Sequence, residues 1–187
     1  PPRSTLFPYT TLFRSEDRTD EGSVTVTQIQ ALRACRDAGI TVPVETIDRA
    51  VSYIVRSANP DGGIRYTARG GGASRPPITA AAVATLYSAG KYEHPMAEKA
   101  LAYARLHVSI QQPNTFYMYG HNYLAQALYQ KGGEEWAAYY EAMAARLLAR
   151  QGPNGAWSED QTGPVYNTAV ALVILQLPYG FVPAYQR

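Results

Sequence analysis

The sequence predicts an all-α protein built from about three and a half pairs of helices. Three observations point to this class. Apolar residues recur at helical spacing from Val24 onward, and helices poor in charge alternate with helices that carry a charged stripe. Similar turns also recur, beginning at residues 61, 114 and 154, which are 53 and 40 residues apart. A period of about 40–50 residues with two helices per unit is typical of a stacked helical repeat.

Glycine and proline mark the ends of the predicted helices. Gly39 and Pro43 stop the first, Pro95 suits the first position of the fourth, and Pro178 ends the last. The apolar spacing between these breaks predicts seven helices: Val24–Ala38, Val44–Ser57, Pro77–Ala89, Pro95–Ile110, Tyr119–Gln130, Glu134–Arg150 and Val165–Gln176.

The charge distribution assigns these helices to two layers. The first, third, fifth and seventh are poor in charge and are expected inside, whereas the second, fourth and sixth carry a polar face and are expected outside. The third is rich in alanine, at positions 80, 81, 82 and 84, and its small side chains would permit close approach by neighbouring helices.

Composition excludes several classes of protein. With 46% hydrophobic and only 17% charged residues, the 187-residue chain is too apolar to be disordered. It has no run of 18 apolar residues that would cross a membrane. The single cysteine, Cys35, cannot build a multi-cysteine zinc site, and we expect a buried, inert thiol.

The first fifteen residues differ from the rest of the chain. They repeat Thr-Leu-Phe at 5–7 and 11–13, show no periodicity, and resemble a translated sequencing adapter. We therefore divide the chain into a disordered stretch, 1–15, and a repeat domain, 16–187, and expect the natural N-terminal part to be missing. Without Arg3 and Arg14 the remainder holds 15 basic and 15 acidic residues, so bulk charge predicts no nucleic-acid partner.

Two of the turns resemble a known family. Residues 151–157 place Gln151, Gly155 and Trp157 at the spacing of the QW repeat of terpenoid cyclases. Asp61, Gly62 and Gly63 are similar to the related turn in protein prenyltransferase β subunits. The likeness is to the prenyltransferase and squalene-oxidase repeat superfamily, and it implies an α/α toroid in which inner helices surround a central cavity. Only the third turn has all three motif residues. At the Gln, Gly and Trp positions, the first turn has Ala58, Gly62 and Ile64, and the second has Gln111, Thr115 and Tyr117.

The turn motif also has a physical interpretation. A glutamine at the end of an outer helix can bond the free carbonyls there, or the N–H groups that open the next inner helix. The ring six residues later would pack over that bond and shield it from water. Trp157 is accordingly predicted to be a structural pin rather than a ligand contact.

The chemistry of the family is not visible in this chain. Terpenoid cyclases of the protonating class use an Asp-X-Asp-Asp motif, which the sequence lacks, and protein prenyltransferases use zinc held by Asp, Cys and His, for which Cys35 has no suitable neighbours. We therefore predict no catalytic residue, no metal and no cofactor in this segment.

Polar and aromatic residues collect where the inner helices begin, which in a toroid is one mouth of the cavity. The candidate cavity or rim residues are Tyr117, Tyr119, His121, Asn122, Tyr166 and Asn167. Such residues would hold a ligand through hydrogen bonds and ring faces, and ordinary packing is the alternative. Asp61, Glu159 and Asp160 suggest a further option, a polysaccharide-active rim, by fold analogy alone.

These observations favour a repeat scaffold or binding module whose partner is an apolar, isoprenoid-like ligand or a protein. The alternative is the C-terminal portion of a terpenoid cyclase or prenyltransferase-type enzyme whose catalytic residues lie in the missing N-terminal part.

Overall fold

The protein is all-α in the part that the structure describes. The structure is a computed structural model and describes residues 20–113, 115–181 and 185; the adapter-like stretch 1–15 lies outside them. The helices are α1 (Gly22–Asp37), α2 (Val44–Arg56), α3 (Pro76–Ser88), α4 (Pro95–His107), α5 (Tyr117–Lys131), α6 (Gly133–Arg150) and α7 (Pro164–Gln176), followed by a 3₁₀ turn, Leu177–Tyr179. Within these residues no strand forms, apart from an isolated antiparallel bridge between Ala58 and Ile64.

All seven predicted helices are present, and their ends differ from the prediction by at most three residues. The helix α4 ends at His107 because Val108 leaves helical geometry at φ −99° and ψ 88°. The helix α5 begins two residues early, at Tyr117, because Phe116 before it adopts a left-handed conformation, φ 61°.

The predicted division into two layers is confirmed. Neighbouring inner helices α1, α3, α5 and α7 pack against each other in series, and each outer helix α2, α4 or α6 lies against the two inner helices that flank it in sequence. The outer helices turn their charged faces to solvent, as with Glu98 and Lys99 on α4. The repeat is therefore a helical hairpin that uses one helix for the core and one for the surface.

The alanine-rich helix α3 forms the centre of the core. Residues Ala80–Ala84 have no exposed surface, and α3 contacts α1, α2, α4 and α5. Small side chains let several helices approach this one together, which explains why a segment without any apolar stripe is helical: every face of it is buried.

The inner row is bent. The Gln30 side chain of α1 donates a 2.6 Å hydrogen bond to Gln126 of α5, although both helices pack against α3. In a straight row the axes of α1 and α5 would lie about 16–20 Å apart, at 8–10 Å per packed pair. The direct contact means that the row curves and that its concave side is filled at this point by side chains.

The helix α7 has an open apolar face. Val165 is 85% exposed and Leu172 is 53% exposed, while Val170 and Ile174 on the other side are buried. Among the described residues, no helix combines the length and hydropathy needed to cross a membrane.

Candidate functional site

Each of the recurrent turns has a buried side chain at the same motif position. The residue at the tryptophan position of the motif is 1% exposed at Ile64, 2% at Tyr117 and 3% at Trp157. In the first and third turns the backbone N–H of this residue donates to a threonine of the next inner helix: Ile64 to Thr79 at 2.9 Å and Trp157 to Thr168 at 3.0 Å. The two turns are therefore equivalent in structure even though only one has the full sequence motif.

In the third turn the indole of Trp157, and not the side chain of Gln151, bonds the end of α6. The Trp157 Nε1–H donates to the carbonyl oxygen of Leu147 at 2.7 Å, so the ring itself satisfies one of the free carbonyls at the end of α6. Gln151 is exposed and donates to Gly155 within its own turn, at 2.9 Å. The expectation that the glutamine bonds the helix end is wrong, because the turn folds back on the glutamine and the buried ring reaches the helix instead.

The Asp61-Gly62-Gly63 turn is built for close packing. The Asp61 carboxylate accepts from the Gly63 N–H and the Ser74 hydroxyl, and these bonds hold the pKa of Asp61 below its ordinary value. Gly62 has φ +87°, and a Cβ there would lie 2.9 Å from the Lys99 carbonyl oxygen. A Cβ on Gly63 would lie 2.3 Å from that of Ser74, so this glycine is needed for approach and not for its φ.

Asp160 connects one repeat to the previous one. Its carboxylate accepts from the Met118 backbone N–H at the start of α5 (2.8 Å), from the Thr162 N–H (3.0 Å) and from the Asn167 amide (3.3 Å). Burial opposes ionisation, but the bonds from Thr162 and Met118 outweigh it and keep the pKa of Asp160 below its ordinary value. An acid predicted at a rim is thus a helix cap.

Glu159, which follows Trp157 by two residues, is a buried carboxylate that balances the charge of arginines on α6. Its side chain is 2% exposed and pairs with Arg146 at 2.8 Å and Arg150 at 3.2 Å. The Arg146 guanidinium also lies over the Tyr117 ring, 5.1 Å from its centroid. These two ion pairs hold α6 against the turn that follows it, and removing both arginines would leave the buried Glu159 carboxylate without a counter-charge.

Tyr117 and His121 do not reach the inner side of the repeat. The Tyr117 hydroxyl donates to the Ile110 carbonyl at 2.9 Å, and His121 Nδ1 lies 2.9 Å from the Tyr139 hydroxyl of α6. Burial lowers the pKa of His121 to about 4, despite the bond to the Ser109 carbonyl. Tyr117 and His121 are therefore packing residues rather than ligand contacts, and the His121 imidazole is neutral in the core.

The opposite side of α5 carries a tyrosine cluster, which we define as Tyr66, Tyr119, Tyr123, Tyr166 and Tyr185. The rings of Tyr119 and Tyr123 meet edge to face with centroids 4.8 Å apart. Burial and the neighbouring hydroxyls raise the pKa of Tyr119 and Tyr166, and burial raises that of Tyr123 to about 12. The Tyr119 hydroxyl is inaccessible to solvent, and among the described residues its hydrogen bonding is limited to a weak interaction with the Tyr123 hydroxyl.

Helical geometry explains this division of α5. At 100° per residue, Tyr119, Asn122 and Tyr123 share one face, and Tyr117 and His121 share the opposite one. A polar row extends the inner face beyond the cluster. Gln126, itself 1% exposed, donates to Asn122 at 3.1 Å and accepts from Gln30.

Of the predicted rim residues, the structure brings Tyr119 and Tyr166 together and leaves Asn122 beside them. Asn167 is fully buried and donates to the Gly163 carbonyl and to Asp160, so it belongs to the cap. The prediction missed Tyr66, Tyr123 and Tyr185. For Tyr123 the signal was available, since it lies four residues after Tyr119.

A metal centre finds no support in the described part of the chain. No group of three or more His, Cys, Asp or Glu side chains is placed to hold an ion there. Cys35 is partly exposed on α1 rather than buried as expected, because this turn of the helix has neighbours on one side only.

The fold and this site define an all-α helical-repeat protein with an aromatic inner face. Comparison with known proteins finds no matching family model, no matching curated protein and no matching solved structure.

Proposed function

We propose that this chain is a helical-repeat binding module, similar to the toroids of the prenyltransferase and squalene-cyclase type, and that its tyrosine cluster binds an apolar, isoprenoid-like ligand. A protein partner at the same surface is the second candidate. The bent inner row supports this likeness, since helices that curve around an axis are the starting point of a toroid.

The observation that carries the proposal is the Tyr119 hydroxyl. A buried polar group without a partner costs about 1–3 kcal/mol, and the weak interaction with Tyr123 offsets only part of that cost. A ligand that accepts from the Tyr119 hydroxyl or donates to it would recover more of it. The surrounding tyrosine rings offer flat apolar faces to a hydrocarbon chain. Together they suit a molecule with an apolar body and one small polar end, such as an isoprenoid alcohol.

Binding is favoured over catalysis by the state of the acids. Asp20, Asp61 and Asp160 each accept backbone N–H groups, and in all three the pKa lies below its ordinary value. A carboxyl that must protonate a substrate needs the opposite shift. The cluster itself contributes hydroxyls that stay protonated at neutral pH.

Titration calorimetry of the chain with farnesol tests the proposal. We expect binding by the wild type, weakened severalfold in Tyr119→Phe, which keeps the ring and removes the hydroxyl, and more strongly in Tyr166→Ala. The control is Tyr179→Phe, the same change at a tyrosine that is 67% exposed. No farnesol binding by the wild type, or equal losses in Tyr119→Phe and Tyr179→Phe, would contradict the proposal.

A further inference from the structure

A depression lies on the outer side of the protein, where α3 and α5 end beside α4. Its volume is about 400 Å³, within the range of small-ligand sites. The residues that give it its chemistry are Tyr87, Tyr92, Glu98, Leu101, Arg105 and Gln130. None of them belongs to the tyrosine cluster.

The floor of the depression is apolar and aromatic. Tyr87 is 4% exposed and Leu101 is 3% exposed, so both are fixed by the core. The Tyr92 ring lies tilted against that of Tyr87, with centroids 5.0 Å apart, and is 43% exposed. A planar or cationic group entering the depression would meet a ring face.

Two acceptors at the wall have no partner in the described part of the chain. The Gln130 Oε1 atom is inaccessible to solvent and accepts no hydrogen bond there. The Glu98 carboxylate makes no ion pair there, and its charge is close enough to raise the pKa of Tyr87, after burial and Glu135. The exposed Glu98 carboxylate can accept hydrogen bonds from a ligand directly, and Gln130 Oε1 can do so when its side chain turns towards the depression.

The full charges around the depression sum to zero, and the partial charges of its helix ends favour a cation. Its two basic side chains, Arg105 and Lys131, both pair with Glu135, at 2.8 Å and 3.0 Å. Glu135 balances one of these positive charges, and Glu98, which makes no ion pair among the described residues, balances the other. The C-terminal ends of α3 and α5 point to the same place, and helix C-termini carry partial negative charge.

We propose that this depression binds a small organic cation of the amidinium or aromatic amine class. The N–H groups of the ligand would donate to Gln130 Oε1, its positive charge would face Glu98, and its flat body would lie on the Tyr92 ring. This inference rests on a different surface from the proposed function and stands or falls separately.

Benzamidine is the probe, and neutral benzamide, which has the same shape, is the matched ligand control. In titrations followed by heteronuclear NMR we expect benzamidine to bind in the millimolar range or tighter and benzamide to bind at least about fivefold more weakly, the factor for one exposed charge interaction of about 1 kcal/mol. Shifted amide signals are expected at α4 and at the end of α5.

Three variants test the assigned contacts. Glu98→Gln should weaken benzamidine binding about fivefold, a factor that again corresponds to one charge interaction, and leave benzamide unaffected. Gln130→Leu should weaken both ligands, and Glu93→Gln, at an exposed acid outside the depression, should change neither. No benzamidine binding, equal binding of the two ligands, or a wild-type response in Glu98→Gln would overturn the inference. Binding by Tyr119→Phe equal to wild type would confirm that the tyrosine cluster is not involved.

Discussion

Acid should destabilise this protein through one buried histidine. His121 has no exposed surface, and burial lowers its pKa from 6.5 to about 4 in the folded state. The unfolded chain, where the pKa is ordinary, therefore binds a proton that the folded chain does not. The stability contributed by neutral His121 is complete above pH 6.5 and is lost as pH falls from about 6.5 towards 4.

The magnitude follows from the two pKa values. At 1.36 kcal/mol per pH unit, the difference between 6.5 and about 4 corresponds to roughly 3 kcal/mol at full effect. Between pH 7 and pH 5 the loss is about 2 kcal/mol, because at pH 5 the unfolded imidazole is protonated and the folded one is still neutral. Carboxylates with lowered pKa contribute little in this window, since they remain ionised in both states.

Urea unfolding at pH 7, 6 and 5 measures this loss directly. In His121→Gln the side chain cannot titrate, so we expect lower stability at pH 7 and a nearly flat dependence on pH down to 5. The control is His107→Gln, at an exposed histidine, which should keep the wild-type slope. Equal wild-type stability at pH 7 and pH 5, or a wild-type slope in His121→Gln, would refute the reasoning.

Two further predictions concern the turns and are measured by thermal and urea unfolding. Trp157→Ala should cost about 3–5 kcal/mol, because a buried ring is lost. Trp157→Phe should cost about 1–3 kcal/mol, because it leaves the Leu147 carbonyl unpaired. An unchanged melting temperature in the alanine variant would show that the ring does not stabilise the fold. Gly62→Ala should cost about 1–3 kcal/mol more than Gly39→Ala, since both glycines have similar positive φ but only at Gly62 does a Cβ meet backbone within 3 Å. Equal costs at the two glycines would mean that backbone strain alone matters.

The tyrosine cluster shows where sequence reasoning reached its limit. Spacing of four residues places Tyr119 and Tyr123 on one face of α5, so this half of the cluster is predictable from periodicity. The other members come from the loop after α2, from α7 and from the C-terminal end. Only the curvature of the inner row decides that Tyr66 approaches Tyr119, and curvature depends on side-chain volumes at every helix contact.

The acids illustrate the same limit. From the sequence, Asp160 is a carboxylate in a polar turn, for which fold analogy suggests a rim. Its cap lies at Met118, 42 residues earlier, and the structure alone brings them together. This long-range bond caps the first turn of α5, because it satisfies an N–H that local residues leave free.

By itself the sequence determined which segments are helical, which of them are inside and where the turns recur, because apolar spacing, charge and glycine act over a few residues. Tertiary structure decided whether the His121 face or the Tyr119 face of α5 turns to the inner side. It also decided which carboxylate caps which helix, and that Trp157 rather than Gln151 closes the end of α6. These outcomes depend on the competition between distant groups for the same buried carbonyl, N–H or space, and that competition is settled only when the helices pack.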